Sequence, residues 1–132
     1  YECLVKNCPE DVETHQLAIG NEEKMISLSE DNFTQAKRVV GDGTIPMVTI
    51  DSLGLEDVDL IKIDVEGFEM EVLKGAENTL KNVDYLMIEL NNNSKKYGSS
   101  NLEIEKHLRK TGFEIMIKVW PDVVWRKKGK SK

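Results

Sequence analysis

Val58-Asp59-Leu60-Ile61-Lys62-Ile63-Asp64-Val65-Glu66-Gly67-Phe68-Glu69-Met70-Glu71-Val72-Leu73-Lys74-Gly75 is the stretch on which the reading of this chain turns. A short apolar run rich in β-branched residues leads into an acidic turn at Asp64, Glu66 and Gly67, and then into an amphipathic helix. That succession is strand, loop, helix. In open α/β sheets such a loop lies at the carboxyl end of a strand, where ligands bind. Leu60, Ile61, Ile63 and Val65, interrupted only by Lys62, predict a strand buried on both faces of a parallel sheet. From Gly67 to about Asn82, Phe68, Val72, Leu73, Ala76 and Leu80 share one stripe opposite mostly charged positions, which predicts a single helix. Gly75 inside that helix costs about 1 kcal/mol relative to Ala, so close packing against the sheet is expected there.

Downstream, the arrangement repeats. Residues 84–90 carry Tyr85-Leu86-Met87-Ile88, a second near-continuous apolar strand ending in Glu89 and the polar cluster Asn91-Asn92-Asn93-Ser94. Residues 101–111 read as a helix closed by Thr111-Gly112. Residues 113–120 and 123–126 read as antiparallel strands around Pro121-Asp122, because so short a connection permits nothing else. Trp120 and Trp125 flank that turn and are expected to cover the sheet edge. Right-handed crossovers place the loops after Asp64 and Glu89 at the same rim of the sheet.

Upstream, residues 1–7 read as the end of a helix before Pro9, and residues 14–19 as a short strand closed by Gly20-Asn21. Residues 24–29 are a second strand. Residues 30–44 are polar and carry Gly41-Asp42-Gly43, which reads as an excursion or mobile loop with a short strand at 36–40. Residues 45–50 form a further strand with Pro46 at its first residue or on a sheet edge. Asp51-Ser52-Leu53 begins a turn or short helix.

A chain of 132 residues supports one domain. Its 24 acidic against 18 basic residues give a formal charge of −6, which disfavours broad attraction to nucleic acid or anionic membranes as partners. No apolar run approaches the roughly 20 residues of a membrane helix, and no charged-then-apolar leader opens the sequence, so the cytoplasm is the expected location. Cys3 and Cys8, five apart in a helical segment, lie on different faces and read as reduced thiols.

The central stretch from Asp59 to Glu69, followed by Val72-Leu73-Lys74-Gly75-Ala76, closely resembles the signature of the FkbM family of S-adenosylmethionine-dependent methyltransferases. Ala18-Ile19-Gly20 after a strand, Thr49-Ile50-Asp51-Ser52-Leu53, and Leu86-Met87-Ile88-Glu89 agree with it as well. The resemblance implies a Rossmann-like methyltransferase fold, a three-layer α/β/α sandwich, and O-methylation of a hydroxyl on a sugar, polyketide or other small metabolite, with S-adenosylmethionine as cofactor. In that family a glycine-rich loop after the first strand cradles the cofactor, and an acid ending the second strand holds the ribose. Neither is found here, and residues 1–7 match the helix after the second strand. The chain is therefore expected to hold a partial methyltransferase domain over residues 1–126 that lacks the first two strands, followed by a basic, disordered tail at 127–132.

The same resemblance places Asp64, Glu66 and Glu89 as catalytic candidates and Ala18, Ile19 and Asp64 as cofactor-binding candidates. Methyl transfer to an alcohol needs the oxygen aligned with the methyl carbon and its proton removed as the bond forms. A carboxylate at a strand end can stabilise a sulfonium or accept that proton. The plainer alternatives are that Asp64 and Glu66 only favour a helix start, that Glu89 is a solvated strand end, and that Ala18 and Ile19 are core. Of Glu66 and Glu69, both in the first turn, one is expected to face solvent, with Glu66 the functional member. The three acids could also supply oxygen ligands to Mg²⁺ or Ca²⁺, though no spacing demands a metal. A rival function is a non-catalytic module that keeps the half-fold and self-associates, or binds a partner, through an exposed sheet edge.

Overall fold

A computed structural model of the protein describes residues 1–29 and 39–129. In chain order these form α1 (Glu2–Asn7), β1 (Ala18–Ile19), β2 (Lys24–Leu28), β3 (Val39–Val48), β4 (Leu60–Ile63), α2 (Glu69–Lys74), β5 (Tyr85–Glu89), α3 (Asn101–Lys110), β6 (Phe113–Val119) and β7 (Asp122–Lys127). Short 3-10 helices occupy Asp51–Leu53, Thr79–Lys81 and Asn93–Tyr97. The architecture is mixed α/β with two sheets, one ordered β1-β3-β2 and the other β4-β5-β7-β6.

The larger sheet carries the core. β4 and β5 run parallel, with Ile61 beside Leu86 and Ile63 beside Ile88, and β7 joins β5 antiparallel, with Trp125 beside Leu86 and Val123 beside Ile88. These rows face α2, α3 and the intervening 3-10 turn, whose Val72, Leu73, Leu80, Ile104 and Leu108 complete one buried cluster. α3 is built as its sequence implies. Ser100 at its start caps the helix, its hydroxyl accepting from the Glu103 backbone N–H at 3.3 Å and donating to the Glu103 carboxylate at 2.9 Å.

Among the described residues no helix covers the opposite face of this sheet. Its rows run Lys62, Met87, Val124, Ile117 and Leu60, Tyr85, Arg126, Glu114, and Leu60, Ile117 and Val119 are 55%, 49% and 67% exposed. The expectation that β4 is buried on both faces fails here: it is an edge strand with Lys62 and Asp64 in solvent. Among the described residues, α2 and α3 pack on one face of this sheet. Parallel strands are ordinarily covered on both faces, so β4 and β5 depart from the usual pattern.

Several elements differ from the sequence reading for local reasons. The single helix expected over residues 67–82 is cut in two after Lys74. At Gly75 an added Cβ would lie 1.9 Å from the Gly20 carbonyl oxygen, so the expected close packing is real, and it is against the end of β1. The chain restarts because the Asp51 carboxylate accepts from the backbone N–H groups of Asn78 and Thr79 at 2.9 and 2.8 Å and from the Thr79 hydroxyl at 2.8 Å. Burial pushes the Asp51 carboxyl up, but these donors outweigh it and hold the group below the ordinary carboxylate value.

The strand expected at 14–19 shrinks to Ala18–Ile19. Gly41-Asp42-Gly43 is part of β3 rather than a loop, opposite an irregularity at Ile26 and Ser27. Pro46 stands inside β3, opposite Met25, at a point where β1 no longer pairs with β3; there the strand is locally an edge, which a residue without an N–H tolerates. Residues 36–38 of the short strand expected at 36–40 lie outside the described residues. Trp125 is fully buried in the core, whereas Trp120 is exposed, because only the former sits on the helix-facing row. Lys127, read as tail, ends β7 and donates to the carbonyls of Leu80 and Thr111 at 2.8 Å each; residues 130–132 lie outside the described residues. Both cysteines are free. Among the described residues no helix is long and apolar enough to cross a membrane.

Candidate functional site

The carboxyl ends of β4 and β5 meet at one rim, as their parallel pairing requires. β4 delivers Asp64 and then enters a strained turn: Glu66 takes a left-handed conformation at φ 54° and Gly67 follows at φ 111°. A Cβ on Gly67 would lie 2.6 Å from the backbone of Asn93, so only glycine lets the loop after β4 approach the loop after β5 this closely.

The two loops are then stitched together by side chains. Asn93 donates to the Glu66 carboxylate at 3.0 Å, and Asn91 donates to Glu66 and to Glu89 at 3.3 Å each. The Asn91 side-chain Oδ1 in turn accepts the Asn93 backbone N–H at 3.0 Å. Asp64, Glu66 and Glu89, which the sequence proposes separately, therefore stand in one carboxylate and carboxamide cluster.

Charge in this cluster is uneven. Lys62, one turn of the pleat before Asp64, donates to its carboxylate at 3.0 Å, and this contact, reinforced by Asp122 and Glu89, raises the ammonium's pKa. Glu89 is pushed up as well, first by burial, then by the negative charge of Asp64, which also lies within hydrogen-bonding reach, and of Glu66; the Asn91 donor acts in the opposite sense. Two carboxyls at a strand rim thus differ in kind. Asp64 has the Lys62 ammonium beside it, and Glu89 holds its proton more readily than an ordinary glutamate.

As expected, one of the two acids of the first turn faces solvent. It is Glu69 that is buried, at 2% exposure, while Glu66 is exposed. Glu69 accepts the Gly67 backbone N–H at 2.8 Å and so pins the strained turn from below. Ala18 and Ile19 stand apart, half-buried on β1 in the other sheet, with Ile19 packed on the main core. Among the described residues no group of three or more His, Cys, Asp or Glu is placed to hold a metal ion. A larger hollow of about 710 Å³ lies at the amino ends of β4 and β5, lined by Leu55, Asp57, Asp59 and Asp84; it is at the wrong end of the strands for a site of this fold class.

Asn91, Asn93, Asp122 and the buried Glu69 are missing from the sequence-derived site. The run of polar residues after Glu89 was the signal for the asparagines. For Glu69 there was none, since helical spacing alone sets it beside the acidic turn without saying which carboxylate turns inward.

The model of the methyltransferase FkbM domain matches residues 2–115. The chain belongs to the FkbM methyltransferase family. Among curated proteins, this FkbM-domain chain is similar to the hexuronic acid methyltransferase AglP of Haloferax volcanii, 35% identical over 63 residues. That match covers 45% of the chain and 26% of the relative, so the chain spans about a quarter of the length of the curated protein it matches. No solved structure matches it.

Proposed function

We propose that the protein is an S-adenosylmethionine-dependent O-methyltransferase acting on a hydroxyl of a sugar or similar small metabolite, and that the rim of β4 and β5 is the acceptor side of its active site. The observation that carries this reading is the joining of Glu66 and Glu89 through Asn91 and Asn93, with Asp64 beside Glu89, at adjacent parallel strand ends. On this reading the sheet belongs to a Rossmann-like three-layer fold. The residues present fit the donor in charge: an anionic rim suits a sulfonium. When bound, S-adenosylmethionine supplies an electrophilic methyl group.

The chain's own residues do the rest. Asn91 and Asn93 orient the carboxylates and offer amide donors to an acceptor hydroxyl. Glu89, with its raised pKa, is the better placed of the acids to take the hydroxyl proton. Asp64, ion-paired with Lys62 at 3.0 Å, borders the same rim. Ala18 and Ile19 would border the adenine.

The test is methyl transfer from labelled S-adenosylmethionine to hydroxyl acceptors, including hexuronides, by the intact protein. Glu89→Gln should lower kcat by roughly 10²- to 10⁴-fold and remove the acidic limb of the pH profile. Asp64→Asn should abolish turnover with the fold intact. Full activity in both variants would reduce the cluster to a loop staple. One observation favours a second reading, a non-catalytic module: the exposed β4 edge with Leu60 is a strand free to pair with another copy. Absence of donor binding by the intact protein, together with a concentration-dependent dimer, would select it.

A further inference from the structure

The loop that leaves β5 alternates between two sets of partners. Asn91 and Asn93 send their carboxamides to Glu66 and Glu89. The residues on either side of them, Leu90, Asn92 and Ser94, are all gripped by one side chain, that of Asn101, the first residue of α3. The Asn101 Nδ2 donates to the Leu90 carbonyl at 3.2 Å and to the Asn92 Oδ1 at 3.1 Å, and its Oδ1 accepts the Ser94 hydroxyl at 3.4 Å. A backbone carbonyl can only accept, so the Leu90 contact fixes which way the carboxamide points. Each grip falls where the loop is already constrained. Leu90 and Ser94 are buried, and Asn92 takes a left-handed conformation at φ 66°, which residues other than glycine seldom adopt. Asn93, between them, has its backbone against Gly67.

We propose that Asn101 is a positioning residue of the acidic rim: by fixing Leu90, Asn92 and Ser94 it sets Asn91 and Asn93, and through them Glu66 and Glu89, in place for the reaction. The inference rests on the methyltransferase reading for what the rim does, and adds a residue outside the rim on which its geometry depends. α3 is a fixed point, since Ile104 and Leu108 are fully buried in the core and Ser100 caps its start. A loop tied to such a helix at every second residue presents the residues between at set distances, and side chains that act on substrate need that support. If Asn101 served only to start α3, aspartate would do as well, because an acid in the first turn is favoured by the helix dipole. Aspartate cannot donate, however, and would turn a carboxylate oxygen towards the Leu90 carbonyl.

Asn101→Asp and Asn101→Ala in the intact protein test this with two readouts. In the methyl-transfer assay both should lower kcat by roughly tenfold or more, while the far-ultraviolet circular dichroism of the aspartate variant, whose helix start is favoured, stays that of the wild type. The second readout is the Glu89 carboxyl, followed by carbon-13 NMR through a pH titration. The Asn91 donor pulls its pKa down, against burial and the charges of Asp64 and Glu66. Asn101→Ala adds no charge, so it should release that donor and move the Glu89 midpoint upward. In an Asn91→Ala background the same substitution should move it no further, because two residues acting through one contact are not additive. A midpoint that Asn101→Ala leaves in place overturns the proposal, as does an equal shift in the Asn91→Ala background. Wild-type turnover by Asn101→Asp overturns it too. If the wild-type protein transfers no methyl group while the Glu89 shift is present, the methyltransferase reading falls and the hold of Asn101 on the rim stands.

Discussion

The two faces of the four-stranded sheet are made by the same strands and have opposite fates. On one, Ile63, Leu86, Ile88, Val123 and Trp125 are sealed under α2 and α3. On the other, Lys62, Met87, Val124 and Ile117 form a row in or near solvent. The candidate catalytic acids stand at the rim of the bare face, since Asp64 follows Lys62 in the pleat and Glu89 pairs with Asp122. Stability is concentrated on the covered side, and the candidate acids stand where packing exerts the least constraint. That division predicts a graded set of mutational effects.

The largest belongs to Trp125→Ala. The indole is fully buried beside Leu86 and Ile115, with the Arg109 guanidinium 5.6 Å from the ring centroid. Its removal should cost about 3–5 kcal/mol in denaturant unfolding. A cost near zero would mean that the covered face is not the core.

Gly75→Ala comes next. The added methyl would collide with the Gly20 carbonyl, a backbone atom that cannot swing aside. Overpacking of this kind costs about 1–3 kcal/mol, read from the urea midpoint. Because the contact joins α2 to the end of β1, the loss should weaken the tie between the two sheets. A neutral result would show that β1 does not dock there.

Much of this molecule was legible in its sequence. The strand–loop–helix at residues 58–75, the strand ending in Glu89, α3 with its closing Gly112 and the final hairpin all follow from periodicity and turn chemistry, which are local. The gathering of Asp64, Glu66 and Glu89 also followed, because parallel neighbours must present their carboxyl ends together. What failed was tertiary. Apolar runs in β4 and β5 announce burial on two faces, yet nothing in them says whether a second layer is present in the chain. The break after Lys74 depends on the Gly20 carbonyl and the Asp51 carboxylate, each more than 20 residues away. The inward turn of Glu69 rather than Glu66 depends on which backbone N–H each can reach.

Glu69 gives the third prediction, smaller and pH-dependent. Burial, then the charges of Glu66 and Asp64, raise its carboxyl above the ordinary 4.5, against the lowering pull of the Gly67 N–H. The folded protein thus holds this proton more tightly than the unfolded chain. Its contribution to stability is complete below the unfolded carboxyl's pKa and is lost as pH rises through the higher folded value. Glu69→Gln keeps an acceptor for the Gly67 N–H and carries no charge, so the variant should gain on the wild-type protein as pH climbs from 4.5. Thermal unfolding of both across that range reads the difference; parallel curves would show that Glu69 titrates as it does in water.

The smallest effect belongs to the bare face. Ile117→Thr replaces one β-branched residue by another, so strand preference is kept. The side chain lies beside Val124 and is half in water already, so little apolar area is lost. The expected change is within about 0.5 kcal/mol, the range of surface substitutions, at an unchanged denaturant slope. The contrast with Trp125, one strand away, sharpens the division between the faces. A loss approaching that of Trp125→Ala would mean that a further layer of protein covers Ile117 in solution. The rim carrying Asp64 and Glu89 would then be one wall of a closed site rather than the edge of an open sheet.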